Sequence, residues 1–201
     1  MAVHEHKAAA PGAPSIRVAV LTVSDTRTRD TDQGGALVEQ MARDAGFHVT
    51  ARALVRDEPA AIRDQIGGWA PEPGAGAPSA APDVAVHAIL VTGGTGVAPR
   101  DTTVDVVTPL FDRHLLGFGE LFRMLSFAEI GSAAMLSRAT AGIVNGVPVF
   151  VMPGSPSAVR LALSRLILPE LGHLVAELRR PAQAPGHKAG HKAGDGGGVR
   201  S

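Results

Sequence analysis

Three short apolar segments alternate with two helical segments in the first half of the chain, and this order constrains the fold more than any other sequence feature. The apolar segments 16–23 and 84–91 are rich in Val, Leu, Ile and Ala, which is typical of buried strands. Between them in the sequence, the segment 47–55 alternates only in part between apolar and polar residues. Helices are predicted over 33–45 and 59–69. This β-α-β-α-β order predicts parallel strands joined by right-handed crossovers, with ligands bound beyond the carboxyl ends of the strands.

The two predicted helices carry their own boundary signals. Leu37, Met41 and Ala45 recur at four-residue spacing, and Gly46 stands where a helix C-cap glycine is common. Pro59 suits the first turn of the second helix, because the N–H that proline lacks would have no helical partner there.

The second half of the chain adds a hairpin and further helices. Apolar strands are predicted over 139–144 and 147–152, and Asn145-Gly146 between them is a strong signal for a two-residue turn. We therefore expect an α/β fold with a mostly parallel sheet and an antiparallel hairpin. Helices are predicted over 103–110, 119–128, 157–168 and from Pro169 toward Arg179.

A single domain is predicted over residues 15–180, with tails at 1–14 and 181–201. The tails are rich in Ala, Pro and Gly, and such sequences cannot bury enough apolar surface to offset the entropy of ordering. The segment 70–83 has a similar composition and is predicted to be a surface loop that tolerates deletion.

Composition excludes several classes of function. The 19 basic and 19 acidic residues give a formal net charge of zero, which predicts neither nucleic acid nor an anionic membrane as partner. No cysteine is present, so disulfides, thiolate nucleophiles and cysteine-ligated metals are excluded. Lysine occurs only at positions 7, 188 and 192, which argues against a Walker-type phosphate loop. A cytoplasmic location is predicted, since no apolar run could span a bilayer and no secretion signal opens the chain.

A glycine-rich turn, Thr92-Gly93-Gly94-Thr95-Gly96, follows the third predicted strand. Glycine enters positive-φ conformations easily, so successive N–H groups can point into one concavity and hold an anion. The alternative is a plain strand-to-helix turn. The spacing matches neither the dinucleotide fingerprint nor the Walker loop.

Acidic residues follow the same strand ends. Ser24-Asp25 ends the first strand, Asp57 follows the second, and Asp101 lies beyond the glycine turn. Carboxylates beside a phosphate site repel the ligand unless a divalent cation lies between them, and Mg²⁺ takes one or two carboxylates plus phosphate oxygens. The pattern indicates Mg²⁺-assisted phosphoryl or nucleotidyl transfer. The alternative is helix capping, by Asp57 near Pro59 and by Asp101 near Thr103.

Two later loops carry polar groups suited to an anion. Ser137-Arg138 supplies a hydroxyl and a guanidinium, which suit a phosphate or a polar heterocycle, although an ordinary surface pair has the same residues. The segment 152–156, Met-Pro-Gly-Ser-Pro, leads from the last strand into a helix whose free N–H groups favour an anion, and a plain turn is the alternative there. Between these loops and the glycine turn, a helical stretch spaces its apolar residues for core or subunit contact and has Glu120 and Ser126 as polar exceptions.

Taken in order, the motifs resemble the MoaB/Mog family of molybdenum cofactor biosynthesis proteins, and most closely its B-type branch. The resemblance covers about residues 15–178. It is carried by Leu-Thr-Val-Ser-Asp at 21–25, by the glycine turn with Arg-Asp at 100–101, by the stretches 117–127 and 135–142, and by Met-Pro-Gly-Ser at 152–155.

The resemblance implies a three-layer α/β/α sandwich that assembles as a trimer or hexamer and binds molybdopterin in a cleft. In catalytic members, Mg²⁺ and ATP adenylylate the terminal phosphate of molybdopterin and release pyrophosphate. Asp57 and Asp101 match the acidic positions of those members, so they are predicted as catalytic residues and Mg²⁺ ligands. The residues predicted to bind substrate are Ser24, Asp25, Thr92, Gly93, Gly94, Thr95, Gly96, Glu120, Ser126, Ser137, Arg138, Gly142, Pro153, Gly154 and Ser155.

Two functions remain compatible with the resemblance. The first is an active molybdopterin adenylyltransferase, which the retained Asp57 favours. The second is a non-catalytic accessory or carrier protein of the same pathway that binds molybdopterin without using ATP. An oligomeric scaffold with a vestigial cleft is a third reading, and it predicts no pterin binding.

Overall fold

The structure, a computed structural model, describes residues 16–72 and 86–180. Within them six strands form one sheet in the order β2-β1-β3-β6-β5-β4. The strands are β1 (Arg17–Val23), β2 (His48–Val55), β3 (Ala88–Thr92), β4 (Arg113–His114), β5 (Thr140–Val144) and β6 (Val147–Met152). β1 pairs in parallel with β2 and β3, and β3 pairs in parallel with β6. β5 runs antiparallel to both β6 and β4. The predicted parallel sheet with an antiparallel hairpin is confirmed.

Helices connect these strands and cover both faces of the sheet. They are α1 (Gln33–Asp44), α2 (Pro59–Trp69), α3 (Thr103–Val107), α4 (Leu116–Ile130), α5 (Pro156–Ala162) and α6 (Leu168–Leu178). Short 3-10 helices follow α3 at Thr108–Leu110 and α4 at Gly131–Leu136, and a π-helical turn at Leu163–Ile167 joins α5 to α6.

Successive strand residues point to opposite faces of the sheet, and each face has its own apolar core. On one face Val18, Val20 and Leu90 are buried against α1, α4, α5 and α6. On the other face the alternate residues Ala19 and Leu21 are buried against α2 and α3. The sheet and the helices on its two faces form the three layers that the resemblance implies, with one apolar core between each pair of layers.

The hairpin turn has the backbone geometry that its sequence predicts. Asn145 and Gly146 adopt φ values of 49° and 79°. Two positive φ values in a two-residue loop define the turn whose twist matches the twist of the flanking strands. The β5–β6 register therefore follows directly from the sequence.

Helix α4 and strand β4 differ from the sequence prediction. α4 runs from Leu116 to Ile130 and is longer at both ends than the predicted 119–128. Gly119 lies inside both the predicted and the observed helix, although glycine weakens helices. A Cβ at Gly119 would lie 2.6 Å from the carbonyl oxygen of Ala139, so close packing on the chain before β5 requires glycine here. The two-residue strand β4 was not predicted, because so short a segment has no periodicity to detect.

The two helices predicted around Pro169 are present as α5 and α6, with Pro169 in the first turn of α6, and the π-helical turn that joins them was not predicted. The chain is helical from Pro156 to Leu178, with the π-helical turn Leu163–Ile167 ahead of the proline. Proline lacks an N–H and its ring collides with the carbonyl four residues earlier in a regular α-helix. Here that carbonyl belongs to Arg165, inside the wider turn, so the helix continues past the proline.

The predicted tails 1–14 and 181–201 lie outside the described residues, as does most of the predicted loop 70–83. The predicted third strand began at 84, and the residues before 86 also lie outside the described part; β3 itself begins at Ala88. Within 16–72 and 86–180, no helix combines the length and the hydrophobicity that a membrane crossing requires.

A buried carboxylate ties β1, α1 and β2 together. Asp32 caps α1 by accepting from Gly35 N at 2.8 Å, and it also accepts from Thr22 Oγ1 at 2.7 Å and from Arg52 Nη2 at 2.9 Å. Arg52 also binds Glu39, which binds Arg43. Burial by itself would raise the pKa of Asp32, but the hydrogen bonds from Arg52, Gly35 and Thr22 outweigh it and hold the pKa below the ordinary value.

We predict that Asp32 makes stability depend on acid pH. A carboxyl with a depressed folded-state pKa stabilises the fold above its unfolded pKa of about 4, and this stability is lost as the pH falls through the folded-state value. Asp32→Asn is expected to cost about 1–3 kcal/mol at pH 7. Urea unfolding at pH 7 and pH 3 measures the difference, which should shrink at pH 3.

Asp44→Asn is the matched control, because Asp44 is exposed at the end of α1 and should change stability by less than about 0.5 kcal/mol. A difference between Asp32→Asn and wild type that is equal at both pH values would contradict the assignment.

Candidate functional site

The carboxyl ends of β1, β2, β3 and β6 surround a polar cavity of about 340 Å³. Its lining residues come from the last residues of β1 and β3 and from the loops that follow the four strands. They are Thr22, Val23, Ser24, Asp25, Thr26, Arg27, Asp57, Thr92, Gly93, Gly94, Thr95, Gly96, Arg100, Asp101 and Gly154. We call this the first cavity. It brings together the predicted Ser24-Asp25, Asp57, glycine turn, Asp101 and Gly154.

The glycine turn is held in a conformation that only glycine accommodates. Gly93 and Gly94 have φ values of 105° and 60°. A Cβ at Gly93 would lie 2.1 Å from the carbonyl oxygen of Val23, and one at Gly94 would lie 2.0 Å from Thr103 Oγ1. Gly93 N–H donates to the carbonyl of Met152 at 3.0 Å. An anion would therefore have to be held by the N–H groups that follow Gly93 in the turn.

Asp57 links the end of β2 to the start of α3. Its Oδ1 accepts from Thr102 N at 3.0 Å and from Thr102 Oγ1 at 2.7 Å, and its own N–H donates to Asp25 Oδ1 at 3.1 Å. The N-cap of α2 is Glu58, which makes no side-chain capping bond. The capping alternative required Asp57 to cap α2, and the structure shows that it does not.

Asp101 closes the loop beyond the glycine turn. Its Oδ2 accepts from Ala98 N at 3.0 Å, and the N-cap of α3 is Thr102. Within the described residues no hydrogen bond reaches Asp101 Oδ1 or Asp57 Oδ2. No group of three or more His, Asp or Glu side chains in that part of the chain is placed to hold a metal ion. Any cation in the first cavity would need oxygen ligands from a bound molecule or from water.

Arg138 fixes the position of the glycine turn. Its Nε donates to the carbonyl of Gly96 at 2.8 Å, its Nη2 donates to the carbonyl of Asp101, and its Nη1 binds both oxygens of Asp105 at 2.8 and 2.9 Å. The backbone N–H of Arg138 donates to Thr95 O. The guanidinium of Arg138, predicted to bind substrate, is instead bonded to the glycine turn and to Asp105. Arg138 does not line the first cavity or the second cavity described below.

A second cavity of about 290 Å³ lies on the other side of the turn and shares Thr95 and Gly96 with the first. Its walls are mainly apolar. The remaining lining residues are Phe122, Ser126, Glu129, Ile130, Ala134, Leu136, Ser137, Pro153, Ser155, Ser157, Ala158 and Leu161. The predicted residues Ser126, Ser137, Pro153 and Ser155 therefore line this second cavity.

Besides Arg138, two predicted substrate-binding residues lie outside both cavities. Glu120 is exposed on α4. Gly142 lies in β5, where a Cβ would be 2.3 Å from Phe111 Cγ, so glycine there makes room for the aromatic ring.

Sequence reasoning also missed residues that line the cavities. Arg27 and Arg100 line the first cavity, and Glu129 lines the second. The signal for Arg27 was available, since it stands two residues beyond Ser24-Asp25 at the same strand end.

Known proteins resemble this chain over nearly the whole described domain. Residues 19–173 match the family described as a probable molybdopterin binding domain. The molybdenum cofactor biosynthesis protein B of Bacillus subtilis is 47% identical over 182 residues, which cover 90% of this chain and 99% of that protein.

Solved structures of proteins with related names share the fold. The crystal structure of a molybdenum cofactor biosynthesis protein B is 43% identical, covers 84% of this chain and 99% of its own, and superposes with a TM-score of 0.75. A molybdopterin biosynthesis protein from Mycobacterium abscessus is 32% identical, with a TM-score of 0.67 and coverage of 82% and 97%.

We predict that Gly94→Ala destabilises the protein by about 1–3 kcal/mol, since its Cβ would overlap Thr103 Oγ1 and Asp57 Oδ2, at 2.0 and 2.5 Å. The matched control is Gly67→Ala in α2, where a Cβ meets nothing within 4 Å. This control should gain about 0.5–1 kcal/mol, because alanine favours the helix. Urea unfolding measures both, and a Gly94→Ala protein as stable as wild type would show that the turn is not rigid.

Proposed function

This chain belongs to the family of probable molybdopterin-binding domains represented by molybdenum cofactor biosynthesis protein B, and we propose that it binds molybdopterin and adenylylates its terminal phosphate with Mg-ATP. The membership supports a role in molybdenum cofactor biosynthesis. One observation carries the finer proposal: the glycine turn is the shared wall of an apolar cavity and a polar, carboxylate-bearing one. A heterocycle and a phosphate chain can therefore meet at one backbone segment.

The second cavity suits the pterin. Phe122 and Leu161 offer apolar surface to a flat ring, and Ser126, Ser137 and Glu129 offer hydrogen-bonding groups for its polar edge. The phosphate of molybdopterin would then reach the turn at Thr95 and Gly96, which belong to both cavities. Backbone N–H groups there would bind its oxygens.

The first cavity suits Mg-ATP. Asp57 and Asp101 each keep one carboxylate oxygen without a hydrogen bond from the described residues, and Mg²⁺ takes one or two carboxylates together with phosphate oxygens and water. Thr103 Oγ1 is buried, has no hydrogen-bond partner among the described residues and lies close to Gly94, as Asp57 Oδ2 does, although Thr103 itself does not line the cavity. These residues fit the ion. When bound, Mg²⁺ would neutralise charge on the triphosphate.

The reaction needs few groups from the protein. A terminal phosphate oxygen of molybdopterin attacks the α-phosphorus of ATP, and the bond to the pyrophosphate leaving group breaks. A phosphate dianion is already a nucleophile near pH 7, so no general base is required. The contribution of the chain is to position the molybdopterin phosphate against the triphosphate of ATP, and the rigid turn would contact both.

We predict that Asp101→Asn lowers turnover about 100-fold or more while molybdopterin affinity changes less than about twofold. Asparagine retains an oxygen for Ala98 N but loses the charge that would hold the cation. The assay incubates protein with molybdopterin, ATP and Mg²⁺ and measures pyrophosphate and adenylylated pterin.

Asp64→Asn is the matched control, since Asp64 is exposed on α2 away from both cavities and should turn over like wild type. Undiminished turnover in Asp101→Asn contradicts the role of Asp101. Tight pterin binding with no ATP turnover in the wild type would instead identify the non-catalytic carrier.

We also propose that the protein acts as a homo-oligomer, trimer or hexamer, in the cytoplasm. The side chains of α4 and of the 3-10 helix after it expose an apolar face, with Phe127 63% and Met135 76% exposed. Its other members are Leu116, Leu121, Met124, Ile130 and Leu136. Ile130 and Leu136 also line the second cavity, so a second copy seated on this face would cover apolar surface at the pterin site.

We predict that Phe127→Glu dissociates the oligomer, because a carboxylate would be buried without a partner in the apolar contact. Light scattering after size-exclusion chromatography measures the mass and separates trimer from hexamer. Arg63→Glu, on α2 in the opposite layer, is the control and should keep the oligomer. A monomeric wild type, or an oligomeric Phe127→Glu, rules the contact out.

A further inference from the structure

Arg27 is a cavity-lining arginine with no role in the function proposed above. It lies in the loop after β1, its side chain is 33% exposed, and it lines the first cavity. Its backbone N–H donates to Ser24 Oγ at 3.3 Å, so the loop folds back at the strand end. The residue therefore stands beside the glycine turn, and its guanidinium can reach a molecule bound there.

The contacts of the Arg27 guanidinium within the protein are long. Its Nη2 lies 3.5 Å from the carbonyl oxygen of Gly154, and its Nη1 lies 3.7 Å from Asp32 Oδ1. Arg52 approaches the same carboxyl group to 2.9 Å. A guanidinium held this loosely loses little when it turns toward another anion, since charge-assisted hydrogen bonds are strongest near 2.8 Å.

The charge of Arg27 is not needed to neutralise the buried carboxylate. Asp32 and Glu39 carry two negative charges, and Arg52 and Arg43 pair with them at 2.8–3.1 Å. These four side chains balance one another. The guanidinium of Arg27 is therefore not needed by this ion-pair network, and it lines the first cavity together with Arg100 and the carboxylates of Asp25, Asp57 and Asp101.

The backbone leaves room for this side chain. A Cβ at Gly34 would lie 3.2 Å from Arg27 Nη1 and 2.9 Å from the carbonyl oxygen of Gly154. A Cβ at Gly154 would in turn lie 3.5 Å from the Cα of Gly93. The guanidinium thus lies where the loops after β1 and β6 meet the first glycine of the turn.

Positive and negative side chains follow the glycine turn in sequence. Arg27 lies near Gly93 by way of Gly154, whereas Asp57 adjoins Gly94 and Asp101 adjoins Gly96. A ligand with several phosphate groups would meet the Arg27 guanidinium near Gly93 and carboxylates, with any cation they hold, near Gly94 and Gly96. Asp25, in the same loop as Arg27, and Arg100, which precedes Asp101, also line the cavity.

We propose that Arg27 is a phosphate-binding residue of the first cavity, whose guanidinium leaves Asp32 and Gly154 and binds two oxygens of one phosphate group. The proposal deepens the proposed function and rests on it for the identity of the ligand. The phosphate belongs either to the nucleotide or to molybdopterin, and the shared chemistry is a phosphate oxyanion.

Pyrophosphate tests the residue without assuming either substrate. Calorimetric titration with pyrophosphate and Mg²⁺ should show Arg27→Gln binding about 10- to 100-fold more weakly than wild type. Arg27→Lys should recover part of the loss, because it restores the charge without the planar fork. Arg29→Gln is the matched control: Arg29 belongs to the same loop, contacts the carbonyl of Arg52 and does not line the cavity, so affinity should be unchanged.

Parallel titrations with molybdopterin and with a non-hydrolysable ATP analogue identify the source of the phosphate. The ligand that Arg27→Gln binds more weakly than wild type is the one whose phosphate contacts Arg27. Equal affinities of Arg27→Gln and wild type for all three probes overturn the proposal, as does an equal loss in Arg29→Gln or a wild type that binds none of them. A wild type that binds pyrophosphate through Arg27 but binds no molybdopterin refutes the proposed function and leaves the role of Arg27 standing. Urea midpoints check that each variant is folded.

Discussion

Parallel backbone pairing among β1, β2, β3 and β6 is the constraint on which the rest of this structure depends. It brings four chain segments to one edge at the point where each leaves the ladder and its polar groups need new partners. The buried Asp32 meets part of that need by capping α1 while binding Thr22 and Arg52, so a helix and two strands share one charge. The remaining loop groups surround the first cavity.

The site separates the residues that shape it from those left to bind. Arg138 and Asp105 neutralise each other and fix the carbonyls of Gly96 and Asp101. Asp57 accepts two hydrogen bonds from Thr102 at one carboxylate oxygen, and no residue in 16–72 or 86–180 donates to the other. A backbone held in this way costs no reorganisation when an anion arrives, which is the condition under which N–H groups and charges contribute most to binding and catalysis. The two cavities then differ in polarity while sharing one rigid wall.

Local patterns predicted much of the fold, and interactions between distant segments decided the rest. The bounds of α2, the end of α1 and the Asn145-Gly146 turn follow from neighbouring residues, and the structure confirms them. The close packing of Gly119 on Ala139 joins distant segments, and helix propensity carries no information about it. For the site, strand ends predicted which loops would meet. The position of Arg27 two residues beyond Ser24-Asp25 was a usable signal. That Arg138 lies outside the cavity could not be predicted, because it depends on an ion pair with Asp105 between distant segments.

The Asn145-Gly146 turn also bears on the order in which the chain folds. β5 and β6 are joined by two residues, whereas every other strand pair in the described sheet must close a much longer loop. Hairpins form in about 1–10 μs, and loop closure slows non-local pairing. We therefore expect the hairpin to form before β6 pairs with β3. Gly93 N–H bonds to the carbonyl of Met152 at the end of β6, so we expect the glycine turn to become ordered only after that pairing.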